Sequence, residues 1–232
     1  MWKVIDSEKR SASDLMLLDA KLLADLGEND PPTIHFYDFI KPSFTFGVFI
    51  DPSRLMDQGV YEKNFDFSKR PTGGGVLFHQ WDFAFSCLVP KNHPAYLDDV
   101  ISSYKYINER IVFALKEFIE GEFSLQMETM VPEEESCKHF CFSKPTRYDI
   151  MLEGKKIAGA AQRRVRNGYL HQGSIALITP EYFSLEPLFP KESKVLTAMK
   201  QNSTALLGPI ARPKDRLDVL HTIKQNIASC LD

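Results

Sequence analysis

Apolar side chains recur at helical spacing in two segments of the chain, residues 14–26 and 99–120. Ser13 is placed to cap the first segment, and Gly27 and Gly121 follow the ends of the two segments, as is typical of helix C-termini. The tail of the chain is mixed from residue 180 and mainly helical from residue 216. The apolar stripe of the longer helix consists of Tyr104, Ile107, Ile111, Leu115 and Phe118.

Other segments alternate apolar and polar residues, and this pattern predicts strands. One pair is predicted to be a hairpin, because Glu153-Gly154-Lys155 has the composition of a tight turn. The strand segments are 33–51 (two strands, broken at 41–43), 76–89 (two strands around a turn at 80–82), 148–152 with 156–160 (the hairpin) and 170–178 (one strand).

The order of elements is a helix, several strands, a long helix and more strands. A doubly wound parallel sheet would instead alternate strand and helix strictly. The order therefore predicts an α+β fold, with a mostly antiparallel sheet flanked by helices on one side. The length of 232 residues favours a single domain over 1–232, with 180–232 as a C-terminal helical extension.

Composition narrows the possible classes of protein. Hydrophobic residues make up 44% of the chain, enough to bury a core, and the net charge of −3 argues against a nucleic-acid partner. No apolar run approaches the roughly 18 residues of a membrane span, and the first residues lack the apolar region of a signal peptide. Four cysteines in a chain of this length suit a reducing compartment, so we expect a cytoplasmic protein.

The first candidate site is the segment Arg70-Pro71-Thr72-Gly73-Gly74-Gly75, which leads into the strand Val76-Leu77-Phe78-His79. Glycines let backbone N–H groups approach a ligand closely, and successive N–H groups in such a loop can cradle an anion. Arg70 would add a fixed positive charge. The alternative is an ordinary glycine-rich turn.

The second candidate is Gly154-Lys155-Lys156-Ile157-Ala158-Gly159-Ala160. A lysine that projects from a strand can polarise a carbonyl or phosphate oxygen, and Gly159 and Ala160 leave room for that ligand. The alternative is a pair of solvated lysines at the tip of a hairpin.

The third candidate is Cys137-Lys138-His139-Phe140-Cys141. Its spacing suggests a metal, but a structural zinc site needs four ligands, and the other cysteines and histidines show no paired spacing. No metal site is therefore predicted. Cys141 is also a candidate nucleophile, because the cationic Lys138 and Lys144 would favour a thiolate. The alternative is an unreactive thiol on a loop.

These segments, in this order, resemble the catalytic domain shared by lipoate–protein ligases, octanoyltransferases and biotin protein ligases. The segment 70–79 resembles the family's Arg-x-x-Gly-Gly-Gly loop ending in His, and 154–159 resembles its Gly-[Arg/Lys]-Lys-[Ile/Val]-[Ser/Ala]-Gly motif. Residues 16–23, 36–47 and 173–175 resemble its first helix, first hairpin and Gly-Ser strand. The resemblance covers roughly residues 2–180, and 180–232 only weakly.

The resemblance implies the fold of that catalytic domain and the attachment of an acyl group to a lysine of another protein. Lys156 would be the essential lysine, in contact with the activated acyl group. The residues implied to bind the acyl group or acyl-adenylate are Arg70, Gly73, Gly74, Gly75, Phe78, His79, Gly159 and Ala160.

Two enzymes of the family are compatible with these motifs. A lipoate–protein ligase, the first expectation, would use ATP and Mg²⁺ to form an acyl-adenylate of lipoate or octanoate. Ligases of this family usually carry Asn-Asp before the lysine motif, where this chain has Tyr148-Asp149. Both enzymes would acylate lipoyl-domain proteins, namely the E2 subunits of 2-oxoacid dehydrogenases and the H protein of glycine cleavage.

The alternative is a cysteine-type octanoyltransferase, which needs no cofactor. Residues 141–149 resemble its Cys-Phe-x-x-Pro-x-x-Tyr-[Glu/Asp] segment, and Cys141 would take octanoyl from acyl carrier protein as a thioester. A lesser alternative is a protein that binds acyl chains or lipoyl domains without turnover. The biotin-specific loop is absent.

The sequence departs from the family at one further position. The family usually has His directly before Gly-[Ser/Thr], whereas here Gln172 holds that place and His171 precedes it. A shift of one residue in a strand turns a side chain to the other face, which speaks against a role for His171 in the site.

Overall fold

The computed structural model describes residues 1–132, 134–208 and 213–231. A seven-stranded sheet forms the centre, in the order β1-β2-β6-β10-β9-β8-β7. All neighbouring strands pair antiparallel except β1 and β2. Its strands are β1 (Lys3–Asp6), β2 (Thr33–Tyr37), β6 (Asp82–Pro90), β7 (Phe123–Leu125), β8 (Ile150–Leu152), β9 (Lys155–Val165) and β10 (Gly168–Ala176).

A second sheet has three strands in the order β4-β3-β5, which are β3 (Ser43–Phe46), β4 (Asp66–Lys69) and β5 (Val76–His79). The pair predicted within 76–89 is therefore present as β5 and β6, but the two strands belong to different sheets. Residues 38–42, between β2 and β3, and Gln80 and Trp81, between β5 and β6, are the two chain connections between these sheets.

The helices are α1 (Ala12–Ala24), α2 (Gln58–Asn64), α3 (Val100–Lys116), α4 (Val195–Asn202) and α5 (Pro213–Leu231). Helix α1 begins two residues before the predicted start, because the side chain of Ser11, and not of Ser13, accepts a hydrogen bond from the Asp14 amide. Helix α3 begins after Asp99, whose carboxylate accepts from the Ser102 amide.

Helices cover both faces of the large sheet. Helices α3 and α5 pack on one face, where Ile107 and Ile111 join Ile223 and Ile227 in the main apolar core. Helix α1 packs on the opposite face through residues such as Leu15, so the expectation that helices lie on one side is wrong. The α+β class and the mostly antiparallel sheet are confirmed.

The predicted hairpin is also present. Glu153 and Gly154 have φ values of 50° and 74°, which close the tight turn between β8 and β9. Among the described helices, none has the length and apolar character needed to cross a membrane.

Candidate active site

A cavity of about 400 Å³ lies where the glycine-rich loop of the small sheet faces strands β9 and β10 of the large one. Polar and charged side chains occur throughout its wall, and apolar ones form the rest. The described residues that line it include Tyr37, Thr45, Ile50, Arg70, Gly74, Gly75, Leu77, His79, Lys138, His139, Phe140, Cys141, Phe142, Lys144, Thr146, Asp149, Lys156, Gly159, Ala160, Ala161, Gln172, Gly173 and Ser174.

Lys156 is buried in the wall of the cavity, with 3% of its surface exposed. Its ammonium group lies 2.7 Å from Oδ2 of Asp149 and donates to the backbone carbonyl of Cys141, also across 2.7 Å. The ring of Phe142 lies 5.5 Å from the same nitrogen. Lys156 is therefore held in place by an ion pair and a main-chain contact, and it is not a solvated hairpin lysine.

Asp149 is engaged by several neighbours. Besides Lys156, its Oδ2 accepts hydrogen bonds from the amide of Thr146 at 2.6 Å and from its hydroxyl at 2.8 Å, and its Oδ1 accepts from the hydroxyl of Tyr104 at 3.0 Å. Three donors therefore converge on Oδ2 and one on Oδ1, so most of the acceptor capacity of the carboxylate is used. Asp149 thus serves as the fixed counter-ion of Lys156.

Tyr104 joins helix α3 to strand β9. Its hydroxyl accepts from the amide of Ala160 at 2.9 Å, and burial raises the pKa of Tyr104 well above its usual value. The hydroxyl therefore stays protonated and can donate to Asp149. Sequence reasoning missed Tyr104 because its position on the apolar stripe of α3 resembles that of a core residue.

Cys141 lies on the segment that follows a short 3₁₀ turn (Glu135–His139). Its amide donates to the carbonyl of Val76 at 2.9 Å, and Phe140 forms an isolated parallel bridge with Val76. The segment therefore runs along β5. Cys141 is half-buried in the cavity wall, whereas Cys137 is buried. Cys141 and Lys156 thus face the same cavity.

Arg70 is buried and spans the glycine-rich loop. Its guanidinium donates to the carbonyls of Gly73 at 3.0 Å and Gly75 at 2.8 Å, and to the hydroxyl of Thr45 at 2.9 Å. Its donors thus hold the conformation of the loop, a role that the sequence analysis had not assigned to Arg70.

The three glycines of the loop have different surroundings. Gly74 has a φ of 86°, a conformation that favours glycine, and it lines the cavity together with Gly75. Gly73 is not among the described lining residues, and a Cβ there would meet nothing within 4 Å. A Cβ on Gly75 would lie 2.2 Å from the backbone oxygen of His139.

His79 lines the cavity in a chain of hydrogen bonds. Its Nε2 lies 2.8 Å from Oγ1 of Thr45, and its Nδ1 lies 2.7 Å from Oδ2 of Asp82. Arg70 donates to the same Thr45 oxygen. Thr45 can therefore donate its proton to Nε2, and a neutral His79 then carries its proton on Nδ1 toward Asp82.

Phe78 does not line this cavity. Side chains alternate along a strand, so Leu77 faces the cavity while Phe78 turns to the other side of β5. There Phe78 packs against Phe44 and Phe140 and borders a separate, smaller cavity. Phe78 therefore lies outside the cavity that holds Lys156, and its predicted place on the acyl-binding surface stays a prediction.

Gly159 and Ala160 both line the cavity beside Lys156. A Cβ on Gly159 would lie 2.7 Å from Oδ1 of Asp149 and 2.8 Å from the ammonium nitrogen of Lys156. Gly159, three residues after Lys156 on the same strand, therefore leaves the space that the side chain of Lys156 occupies.

Gln172 and His171 lie on opposite faces of β10. The amide of Gln172 donates to Asp19 on α1 at 2.7 Å and accepts from the hydroxyl of Thr72 in the glycine-rich loop at 2.7 Å. His171 lies away from the cavity, and burial lowers its pKa to about 3. The one-residue shift seen in the sequence therefore places glutamine, and not histidine, at the cavity.

Comparison with known proteins places this chain in a family. Residues 11–206 match the family described as the lipoyl protein ligase A/B catalytic domain. The chain therefore belongs to this family of enzymes that attach acyl groups to protein.

Among curated relatives, this chain is similar to proteins named octanoyltransferase LipM. The chain is 32% identical over 210 residues to octanoyltransferase LipM of Bacillus subtilis, covering 87% of this chain and 74% of the relative. It is 30% identical over 224 residues to octanoyltransferase LipM of Halalkalibacterium halodurans, covering 92% and 79%.

Solved structures share the fold at lower identity. A bi-partite lipoate protein ligase from Thermoplasma acidophilum, from a structural analysis of that ligase and its E2 lipoyl domain, has a TM-score of 0.71 at 18% identity, covering 99% of this chain and 83% of that one. A lipoate-protein ligase A bound with ATP has a TM-score of 0.73 at 18% identity, covering 99% and 84%.

Proposed function

We propose that this chain is a cysteine-type octanoyltransferase, in which Cys141 carries the acyl group and Lys156 activates its carbonyl. The main support is that both residues line one cavity and that the Lys156 ammonium lies 2.7 Å from the Cys141 carbonyl oxygen. The relatives named octanoyltransferase LipM agree with this choice. The proposal favours the alternative that the sequence left open over the ligase.

In the first step, the Cys141 thiolate attacks the thioester carbonyl of octanoyl carried by acyl carrier protein. The carrier leaves as a thiol, which takes up the proton that the cysteine has lost. In the second step, the ε-amine of a lysine on a lipoyl domain attacks the Cys141 thioester. An amide forms, the amine loses a proton, and Cys141 returns to the thiol. The overall transfer consumes no ATP.

Lys156 has the donors that this reaction needs. An ammonium group carries three N–H donors, and Asp149 and the Cys141 carbonyl use two of them. The third can face the oxyanion that develops on the acyl carbonyl, within a site where burial strengthens the interaction. Because Lys156 is already fixed, little reorganisation is needed during the reaction.

The cavity also suits an aliphatic chain. Tyr37, Ile50, Leu77 and Phe140 provide apolar surface, and each buried CH₂ group is worth about 0.8 kcal/mol. The polar groups at Thr45 and Gln172 are hydrogen-bonded within the protein, so an apolar tail can pass them without leaving them unpaired.

A ligase would need a site for magnesium-bound ATP. Asp149, the carboxylate in the cavity wall, is not available as a ligand for that metal. Asp149 is the one carboxylate among the described lining residues, and it is already the counter-ion of Lys156 and accepts hydrogen bonds from Thr146 and Tyr104. No step of the proposed reaction therefore uses a nucleotide or a metal.

Intact-mass spectrometry tests the proposal directly. The protein is incubated with octanoyl-acyl carrier protein without ATP, and separately with lipoate, ATP and Mg²⁺ plus a lipoyl domain. We expect an octanoyl adduct that is removed by thiols or hydroxylamine, absent in Cys141→Ser and retained in the control Cys230→Ser. ATP-dependent lipoylation by Cys141→Ser would overturn the proposal in favour of the ligase.

A further inference from the structure

The third glycine of the loop, Gly75, lies against the backbone of residues 139–141, which we call the cysteine segment because it includes Cys141. A Cβ on Gly75 would lie 2.2 Å from the carbonyl oxygen of His139 and 2.6 Å from its carbon, and the nearest atoms are all backbone. Real Cβ atoms do not approach so closely, and a main-chain group cannot rotate away as a side-chain tip can. Any side chain at position 75 must therefore displace the segment or the loop.

The displaced segment would be the one that carries the nucleophile. Gly75 precedes Val76, whose carbonyl accepts the Cys141 amide at 2.9 Å, and Val76 also bridges Phe140. The segment thus lies along β5, which is an edge strand of the small sheet. Arg70 also fixes this region by donating to the Gly75 carbonyl at 2.8 Å.

We propose that Gly75 is a positioning residue, which sets the location of Cys141 by letting the cysteine segment lie against β5. The inference rests on the proposed role of Cys141 as nucleophile, but the close packing does not depend on that role. It differs from the expectation that Gly75 only lines the acyl-binding surface, because it acts through the backbone of another segment.

The test is Gly75→Ala, with two readouts. The alkylation rate of Cys141 by iodoacetamide, followed by peptide mass spectrometry, should rise several-fold because the segment moves away from β5. Formation of the octanoyl adduct should slow by about 100-fold, since a misplacement of about 1 Å can cost that much. The KM for the octanoyl donor should change little.

Gly73→Ala is the matched control, because it adds the same methyl group to the same loop where nothing lies within 4 Å. It should leave the alkylation rate of Cys141 unchanged. An unchanged alkylation rate in Gly75→Ala, or a raised KM with kcat preserved, would overturn the inference. Failure of the wild-type protein to form an octanoyl adduct would instead count against the proposed function.

A measurement on the wild-type protein covers the case in which Gly75→Ala does not fold. The Cys141 amide should be protected from hydrogen exchange, because it donates to Val76. Exchange at the rate of an unprotected amide would show that the segment does not lie against β5, and the inference would then be wrong.

Discussion

The ammonium nitrogen of Lys156 lies 2.7 Å from the backbone carbonyl oxygen of Cys141. The side chain proposed to activate the acyl carbonyl therefore also fixes the main chain of the proposed nucleophile. The same nitrogen is paired with Asp149 at 2.7 Å. Loss of Lys156 should consequently affect the position of Cys141 as well as the charge in the cavity.

The Lys156–Asp149 pair predicts a specific pattern of stability. Lys156→Met leaves a buried carboxylate without its counter-ion, and the free energy of unfolding should fall by roughly 3–5 kcal/mol. Adding Asp149→Asn removes that charge, so the double variant should lose less than the sum of the two single variants. Urea unfolding measures all three, and additive losses would contradict the coupling.

The same Lys156→Met variant should lose acyl transfer by at least about 100-fold, because the donor that faces the developing oxyanion is gone. Single-turnover assays would follow the formation of the Cys141 adduct and its transfer to a lipoyl domain separately. Near-wild-type rates in both steps would remove Lys156 from the proposed mechanism.

Gln172 links the glycine-rich loop to helix α1 through hydrogen bonds, and we expect this link to stabilise the fold. Gln172→Leu leaves the hydroxyl of Thr72 and the carboxylate of Asp19 each without one buried partner. Asp19 keeps its contacts with His35 and Ser86, so the unpaired Thr72 hydroxyl dominates, and the free energy of unfolding should fall by about 1–3 kcal/mol. Urea unfolding measures the loss, with replacement of the exposed Gln58 by Leu as the control. A stable Gln172→Leu protein would show that this network contributes little.

The lowered pKa of His171 should make the folded protein less stable as the pH falls. The unfolded chain protonates this residue below about pH 6.5, whereas burial prevents protonation of the folded protein until about pH 3. Acidification through this range therefore favours the unfolded chain, by up to about 1.4 kcal/mol per pH unit. His171→Leu should show a shallower loss of stability than wild type between pH 6.5 and 5. Parallel curves would contradict this assignment.

We expect the site to require glycine at position 159, because Lys156 and Asp149 occupy the space that a side chain would fill. Gly159→Ala would place a methyl carbon 2.8 Å from the Lys156 nitrogen and 2.7 Å from an Asp149 oxygen, so the ion pair must shift. Acyl transfer should fall by at least about tenfold, since the donor geometry is disturbed. Steady-state kinetics measures this, and Gly59→Ala in helix α2, where the nearest side-chain atom is 3.5 Å away, is a control for an added methyl group. Equal rates in both variants would refute the requirement.

Local patterns predicted much of this molecule. Helix α3 follows from the spacing of its apolar residues, and the turn at Glu153-Gly154 follows from its composition. The motifs around Arg70 and Lys156 identified two walls of one cavity. Each of these features depends on residues that are close in sequence, which is why a single sequence was sufficient.

Other features depend on contacts between distant segments. Alternation states that Leu77 and Phe78 face opposite ways, but not which of them meets the cavity. The bond between Tyr104 and Asp149 joins α3 to the loop before β8, and no local pattern marks it. The requirement for glycine at position 75 arises from His139, a residue that only the folded chain brings there.

The placement of β5 and β6 in separate sheets has a mechanical consequence. Cys141 is attached to the small sheet through Val76, whereas Lys156 belongs to the large sheet. Along the chain, the sheets are joined only by residues 38–42 and by Gln80 and Trp81. A small displacement of one sheet relative to the other would separate the two residues while the strand pairing within each sheet stayed intact. Acyl transfer should then be lost at denaturant concentrations at which the circular dichroism spectrum is still native. The rate of acyl transfer would therefore report the relative position of the two sheets.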